Sequence, residues 1–151
     1  MLEHSIQTAL LARGAGASDA QIAAALLHDI GTFVSTADGC FGEYAHDRSG
    51  GEWLAQHFPR AVSEPVRLHV AAKRYLCATR PGYLELLSSA STHTLAHQGG
   101  PMDDSTARAF ERETFFNDAL ALREWDDQGK TPGMEVPAAA AFRGLLGSLL
   151  S

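Results

Sequence analysis

The sequence predicts an all-α protein, a bundle of helices around one hydrophobic core. Apolar residues recur mostly at helical spacing, and runs with the alternation of a half-buried strand are almost absent. Glycine and proline interrupt these segments at intervals that suit helices of ordinary length. With 151 residues, of which 45% are hydrophobic, the chain is long enough for a sizeable core. We therefore expect a single domain over residues 1–151.

The first two helices have clear boundary signals. The first covers residues 2–13 and ends before a glycine-rich turn. The second begins at a capping box formed by Ser18 and Gln21, in which each side chain bonds the other residue's backbone. We extend this helix to Ile30, with Gly31 as its C-terminal stop.

Glycine and proline residues set most of the boundaries predicted for the next segments. Residues 32–44 have no helical period, so we expect a loop there. A third helix covers about Ala45 to His57, where Gly50-Gly51 marks close helix contact, and Pro59 ends it. A fourth helix is predicted from a Ser63 cap to about Leu76.

The remaining chain alternates short and long helical segments. Pro81-Gly82 begins a short helix through Leu87, and Ser88 to Gly100 is mixed and rich in small residues. A long helix begins at a cap, Asp103 or Asp104, and continues to about Gln128, with a break near Thr114. A final helix covers Ala138 to Leu150.

Charge and cysteine content exclude several classes of protein. The net charge is −6, with no run of lysine or arginine, so the chain has no electrostatic footprint for nucleic acid or an anionic membrane. The longest apolar runs are far short of the roughly 20 residues that span a bilayer. Cys40 and Cys77 are isolated, which favours free thiols and a reducing cytoplasm. The partners we expect are small molecules.

Polar residues in apolar helical segments are the strongest functional signal. His28-Asp29 follows the apolar run Ala24-Ala25-Leu26-Leu27, where packing gives no reason for two adjacent polar residues. A single helical histidine is usually structural, but helices of a bundle can bring several together as a dinuclear metal site. His28 can then bind one ion while Asp29, with two oxygens, bridges to a second. Imidazole with carboxylate suits iron, zinc or manganese. The candidate ligands are His4, His28, Asp29, His46, His69 and Asp126.

These residues resemble the signature of the HD-domain superfamily: a helical histidine, a His-Asp pair and a distal aspartate. Further segments are similar to one branch of it, the proteins of phosphonate-degradation operons, which include mixed-valent diiron oxygenases related to myo-inositol oxygenase. The resemblance covers about Leu2 to Val136. The segments that carry it are His69-Val70-Ala71-Ala72-Lys73-Arg74-Tyr75-Leu76, Leu87-Ser88-Ser89-Ala90-Ser91, Gln98-Gly99-Gly100-Pro101-Met102 and residues 122–130.

The resemblance implies two iron ions, Fe(II) and Fe(III), bridged by Asp29. The first set of iron ligands is His4, His28, Asp29 and Asp126, and the second is Asp29, His46 and His69. The resemblance also implies that Lys73 binds the substrate phosphonate, and a position four residues after His69 lies on the same helix face. Asp29 and Lys73 are thus the expected catalytic residues. Candidate hydrogen-bond donors to the same anion are Ser91, Thr94 and Gln98, and Lys130 is a candidate partner for Asp126.

The sequence departs from this branch at two places. Thr32 stands where relatives commonly have a histidine that contributes to phosphonate binding, so a hydrogen-bond donor without positive charge replaces it. The oxygenases also have a segment before the first histidine, with a gating tyrosine and glutamate, whereas His4 lies three residues after Met1. Either the start is truncated, or the site is open on that side.

The activity implied by the resemblance is cleavage of the carbon-phosphorus bond of a 1-hydroxyalkylphosphonate with O2, giving a carboxylic acid and phosphate. Two alternatives remain at the level of sequence. One is a metal-dependent phosphohydrolase acting on a nucleotide or other phosphate ester, and the other is a noncatalytic metal-binding or regulatory module. Metal identity and oxygen uptake distinguish them.

Overall fold

The computed structural model describes residues 2–38, with side chains as far as 34, and residues 45–151. These residues form α-helices joined by turns, with one 3-10 turn near the C-terminus and no strand among them, which confirms the all-α prediction. The helices are α1 (Leu2–Gly14), α2 (Asp19–Leu27), α3 (Gly31–Asp38), α4 (His46–Ala55), α5 (Arg60–Thr79), α6 (Tyr83–Leu86), α7 (Ser89–His97), α8 (Asp104–Phe110), α9 (Phe116–Gln128) and α10 (Arg143–Leu149).

The capping box at α2 is present as predicted. The Gln21 backbone N–H donates to Ser18 Oγ at 3.2 Å, and the Ser18 backbone N–H donates to Gln21 Oε1 at 2.9 Å. The helix is shorter than expected, because it ends at Leu27 and His28 is its C-cap. His28 and Asp29 therefore lie in the turn between α2 and α3, and the two side chains can diverge there.

Gly31 is not the helix stop that we expected, and the loop predicted for residues 32–44 is wrong for its first half. Gly31 begins α3, and its φ is not positive as a left-handed stop requires. A Cβ at Gly31 would lie 1.8 Å from the carbonyl oxygen of His46, so the glycine permits α3 to approach α4 closely. The other part of the predicted loop, residues 39–44, lies outside the described residues.

The predicted close contact at Gly50-Gly51 is confirmed. A Cβ at Gly51 would lie 2.7 Å from Arg67 Cβ on α5, and one at Gly50 would lie 3.1 Å from the Gly31 nitrogen. These glycines let α4 lie against both α3 and α5. The first residue of α4, His46, is thereby held near the middle of α5.

The start of α5 was predicted too late. The helix begins at Arg60 after Pro59, and Ser63 is a buried helical residue and not a cap. Val62, which lies in the additional turn, is fully buried, and its burial stabilises that turn. Pro65 lies inside the helix, where it cannot donate the usual backbone hydrogen bond.

The second half of the chain largely follows the prediction. The mixed segment contains α7, capped by Ser88, and the long helix is broken into α8 and α9 as expected near Thr114. Asp103 is the cap of α8. The last helical segment begins as a 3-10 turn, Ala139–Phe142, and continues as α10.

The central helix α5 positions the functional site. It packs along α4, α9 and α2, while α1 packs on α2 and α9. The larger core cluster, with Ala24, Leu54 and Leu122, joins α1, α2, α4, α5 and α9, and a smaller one with Phe110 joins α8 to α5. None of the described helices is long and apolar enough to cross a membrane. Cys77 is a free thiol, and Cys40 lies outside the described residues.

Candidate metal centre

Six polar side chains meet between the helices and form what we name the His/Asp cluster. They come from α1, the turn after α2, the start of α4, the middle of α5 and the end of α9. The structure brings together all six residues selected from the sequence: His4, His28, Asp29, His46, His69 and Asp126.

Three of the imidazoles are oriented by backbone carbonyl groups. His28 Nδ1 lies 2.7 Å from the Ala25 oxygen, and His69 Nδ1 lies 2.6 Å from the Val66 oxygen. His4 Nδ1 lies 2.7 Å from the Gly129 oxygen. Because a carbonyl oxygen only accepts, each Nδ1 is the donor. Each ring therefore presents Nε2 to the cluster, which is how metal-binding histidines are usually fixed.

The Nε2 atoms face carboxylate oxygens or one another. His4 Nε2 is 2.8 Å from Asp126 Oδ1, and His28 Nε2 is 3.3 Å from both Asp126 Oδ1 and Asp29 Oδ2. His46 Nε2 is 3.4 Å from Asp29 Oδ1 and 3.0 Å from His69 Nε2. His28 is fully buried, and among the described residues its Nε2 has no well-aligned hydrogen-bond partner, although two carboxylate oxygens lie at 3.3 Å.

The charges of the cluster produce opposing pKa shifts. Burial raises the pKa of the Asp126 carboxyl, but Arg123 and then His28 outweigh it, so that the pKa is well below its ordinary value. Burial lowers the pKa of His28, and Asp126 and Asp29 more than reverse this. Burial and the neighbouring His46 lower the pKa of His69 to about 3, which keeps that ring neutral. The carboxylates thus make the region around His28 Nε2 strongly negative.

This arrangement fits positively charged ions between the side chains. In each of two groups the potential ligand atoms lie within 4.8 Å of one another: His4, His28 and Asp29 in one, and Asp29, His46 and His69 in the other. Asp29 belongs to both groups, and Asp126 lies beside the first through His4 and His28. Without a metal ion a proton on Nε2 satisfies these carboxylates, as the raised pKa of His28 indicates, and a metal ion can take the place of that proton. Imidazole nitrogen with carboxylate oxygen is a donor set for iron, zinc or manganese.

Arg123 is a site residue that the sequence analysis missed. It is buried on α9, its Nη1 donates to Asp126 Oδ2 at 3.0 Å, and Asp127 accepts from its guanidinium on the other side. Tyr83 of α6 in turn donates its hydroxyl to Asp127. The only signal in the sequence was an arginine three residues before Asp126, a spacing that places both on one helix face.

Lys73 is buried beside the cluster, one turn after His69 on α5. Its side chain is 2% exposed. Lys73 Nζ donates to the Ser91 carbonyl oxygen at 3.2 Å and to Thr94 Oγ1 at 3.1 Å. An ammonium group has three donors, so one remains for a ligand. Arg123 Nη2 approaches Ser91 Oγ at 3.4 Å. We name this side of the site the polar wall: Lys73, Ser91, Thr94, Gln98 and Arg123.

A cavity of about 280 Å³ lies between the cluster and the polar wall. It touches His4, Asp29, His46 and Asp126 as well as every member of the wall. Thr32 also lines it, and its hydroxyl donates to the Asp29 carbonyl oxygen at 2.8 Å. Lys130 lines the cavity too, but its side chain is exposed. All residues predicted to contact substrate therefore border one cavity beside the cluster.

Comparison with known proteins gives the family. The HD-domain profile matches residues 1–109. A glycine-betaine-forming 1-hydroxy-2-(trimethylamino)ethylphosphonate dioxygenase of Leisingera caerulea is 44% identical over 91% of this chain and 72% of its own. A hydroxymethylphosphonate dioxygenase of Gimesia maris is 43% identical over 90% of this chain and 70% of its own. An uncharacterized protein of Acanthamoeba polyphaga mimivirus is 33% identical over 99% and 71%. The chain belongs to the HD-domain family, in the branch that contains the phosphonate dioxygenases.

Proposed function

We propose that this protein is a diiron oxygenase that cleaves the carbon-phosphorus bond of a 1-hydroxyalkylphosphonate with O2. The products are a carboxylic acid and phosphate, which together account for all atoms of the substrate and one O2. The observation that carries the proposal is that His4 and His28, fixed through Nδ1, direct Nε2 at two carboxylates. A third fixed imidazole, His69, and the buried Lys73 lie beside them. Relatives that are 43% and 44% identical are named phosphonate dioxygenases, which supports it.

The proposed iron ligands follow the two groups of the cluster. His4, His28, Asp29 and Asp126 would hold one ion, and Asp29, His46 and His69 the other. Asp29 would bridge them, because its two oxygens face different histidines. The chemistry supplied by iron, when bound, is the binding of dioxygen and the transfer of electrons.

The polar wall would bind and orient the phosphonate. Two hydrogen bonds orient the Lys73 ammonium group and leave one N–H for the substrate. A charge-assisted hydrogen bond from this group to a phosphonate oxygen is worth roughly 1.5–3 kcal/mol. Arg123 holds the Asp126 carboxylate in place and adds positive charge behind it. Thr32, Ser91, Thr94 and Gln98 offer hydroxyl and amide groups to the same cavity, and Lys130 offers a cation at its exposed edge.

The expected partners are a small organophosphonate and O2, without nucleic acid. The free Cys77 thiol and the net charge of −6 support a cytoplasmic enzyme with no attraction to polyanions.

Oxygen uptake tests the activity. Iron-loaded protein, given hydroxymethylphosphonate, should consume one O2 for each phosphate released, and phosphate release should stop without oxygen. Partly reduced protein should show the electron paramagnetic resonance signal of a coupled Fe(II)–Fe(III) pair, and hydroxyphosphonate should change it. If no oxygen is consumed while p-nitrophenyl phosphate or a nucleotide is hydrolysed equally well without oxygen, the phosphohydrolase alternative is correct.

A further inference from the structure

A second cavity, of about 210 Å³, adjoins the His/Asp cluster and is almost entirely apolar. Asp29 lines both cavities, and it is the one charged side chain among the described residues that line the second. The cavity lies between α1, the α2–α3 turn and the C-terminal helical segment. The apolar residues that line it include Leu2, Leu27, Ile30, Phe33, Ala139 and Leu146.

The size of this cavity suits part of a ligand. Complete small-molecule sites have volumes of roughly 300–1,000 Å³, and this one is smaller. Phe33 is 63% exposed and Leu2 is 60% exposed, so the rim carries two large apolar side chains in contact with water. Covering such side chains with an apolar group is favourable. The cavity therefore favours a short hydrocarbon group that reaches it from the neighbouring site.

We propose that the second cavity receives the substituent on the hydroxyl-bearing carbon of the substrate. The preferred substrates are then 1-hydroxyalkylphosphonates with an uncharged, apolar substituent. This inference rests on the proposed function. Asp29 lines both cavities, so a substrate with its phosphonate at the polar wall and its hydroxyl at the cluster would extend its carbon chain past Asp29 toward the second cavity.

The charges of the described residues offer no partner to a cationic substituent. The Asp29 oxygens lie 3.3 Å, 3.4 Å and 3.9 Å from the Nε2 atoms of His28, His46 and His4, so this carboxylate is committed to the cluster. The first cavity already contains the cations Lys73, Arg123 and Lys130. Among the described lining residues, an ammonium group would lose its hydration and gain no uncommitted carboxylate. The named relatives act on both types of substrate, one with a trimethylamino group and one without.

Two substrates of the same shape separate the effect of the substituent's charge from the effect of its size. 1-Hydroxy-2-(trimethylammonio)ethylphosphonate and 1-hydroxy-3,3-dimethylbutylphosphonate have the same shape and differ in one charge. We expect the neutral compound to have at least about tenfold higher kcat/KM with iron-loaded protein, because an unpaired charge is costly to desolvate. The same preference should appear in the Kd measured by calorimetry with Zn²⁺-loaded protein, which binds substrate without turnover.

A series of substrates with longer carbon chains tests whether the second cavity receives the substituent. From hydroxymethyl- to 1-hydroxybutylphosphonate, KM should fall about fourfold for each added methylene, until the cavity is filled. Ala139→Trp fills the cavity from its exposed edge and should remove this dependence on chain length. Ala140→Trp is the matched control, because Ala140 is an exposed neighbour in the same 3-10 turn and does not line the cavity. That variant should keep the dependence.

The outcomes separate this inference from the proposed function. A preference for the charged isostere, or a chain-length dependence that both variants retain, overturns the inference while turnover of hydroxymethylphosphonate keeps the oxygenase. If no hydroxyphosphonate is bound by the zinc form or consumes oxygen with the iron form, the proposed function fails and this inference fails with it.

Discussion

The His/Asp cluster and the polar wall are two sides of one cavity, but their charges are satisfied in different ways. In the cluster, backbone carbonyls fix imidazole rings whose Nε2 atoms face carboxylates, and the buried His28 Nε2 has no well-aligned hydrogen-bond partner within the described residues. In the wall, Lys73 and Arg123 already donate to protein oxygens. Bound cations should therefore stabilise the cluster, whereas the two buried cations of the wall already have protein partners.

The largest effect should come from the residue shared by both proposed ions. Asp29→Ala removes the bridge, and we expect activity to fall by about a thousandfold, equivalent to about 4 kcal/mol of lost metal-derived catalysis. Elemental analysis after iron reconstitution should find well under one metal per chain in the variant. Asp104→Ala, which changes an exposed aspartate on α8, is the control and should bind metal normally. Equal metal content in the Asp29 variant and the wild type would rule out this bridge.

Removal of metal should lower stability, because an ion that binds only the native state stabilises it by mass action. At a free metal concentration of 100 times Kd the contribution is about 2.7 kcal/mol, and in a chain of this size it shifts Tm by about 5–10 °C. Calorimetry with and without a chelator measures it. Lys73→Met protein should show the same shift, since Lys73 is not a proposed ligand of the ions. If stripping the metal leaves Tm unchanged, the cluster is not the metal site.

Exchanging Lys73 for methionine tests the wall by itself. The side chains are similar in length, so the fold and metal content should remain, while loss of the charge-assisted hydrogen bond should raise KM about ten- to a hundredfold. Lys130→Met is the comparison, because Lys130 lines the same cavity but is exposed and screened by water. Its effect should be less than about threefold. Equal effects of the two variants would mean that burial does not distinguish these lysines.

The cluster was predictable from the sequence because its members are polar residues that interrupt apolar helical patterns, as His28-Asp29 does after Leu27. The capping box at Ser18 was predictable for a similarly local reason. The role of Gly31 was not, since it depends on the carbonyl of His46 in another helix. Arg123 was also missed, because its partners Asp126 and Asp127 make it look like an ordinary salt-bridged residue on a helix surface.

Arg123 connects the two regions, so its supporting residue offers a finer test. Asp127→Asn keeps an acceptor for Tyr83 but removes the negative charge beside the guanidinium. We expect metal affinity to weaken by about tenfold, because groups that orient a ligand usually contribute tenfold or more. Metal titration measures this, and Asp127→Glu should restore part of the affinity. An effect on KM alone, with metal affinity unchanged, would mean that Arg123 acts on substrate binding and not on the metal ligand Asp126.

The smallest expected effect is on the pH dependence of KM, which shows whether the titrating group lies in the wall or in the cluster. Burial, followed by the positive charge of Arg123, lowers the pKa of Lys73 to about 8, and the other groups facing it, Asp126, Cys77 and Asp127, raise it by less. The protonated form donates to the phosphonate, so binding is complete below this pKa and weakens as pH rises through it. KM should therefore increase severalfold between pH 7.5 and 8.5, approaching tenfold per pH unit above that range. The Lys73→Met profile should be flat over the same range, since methionine does not titrate. If the variant and the wild type have parallel profiles, the titrating group lies in the cluster and the lysine stays protonated throughout.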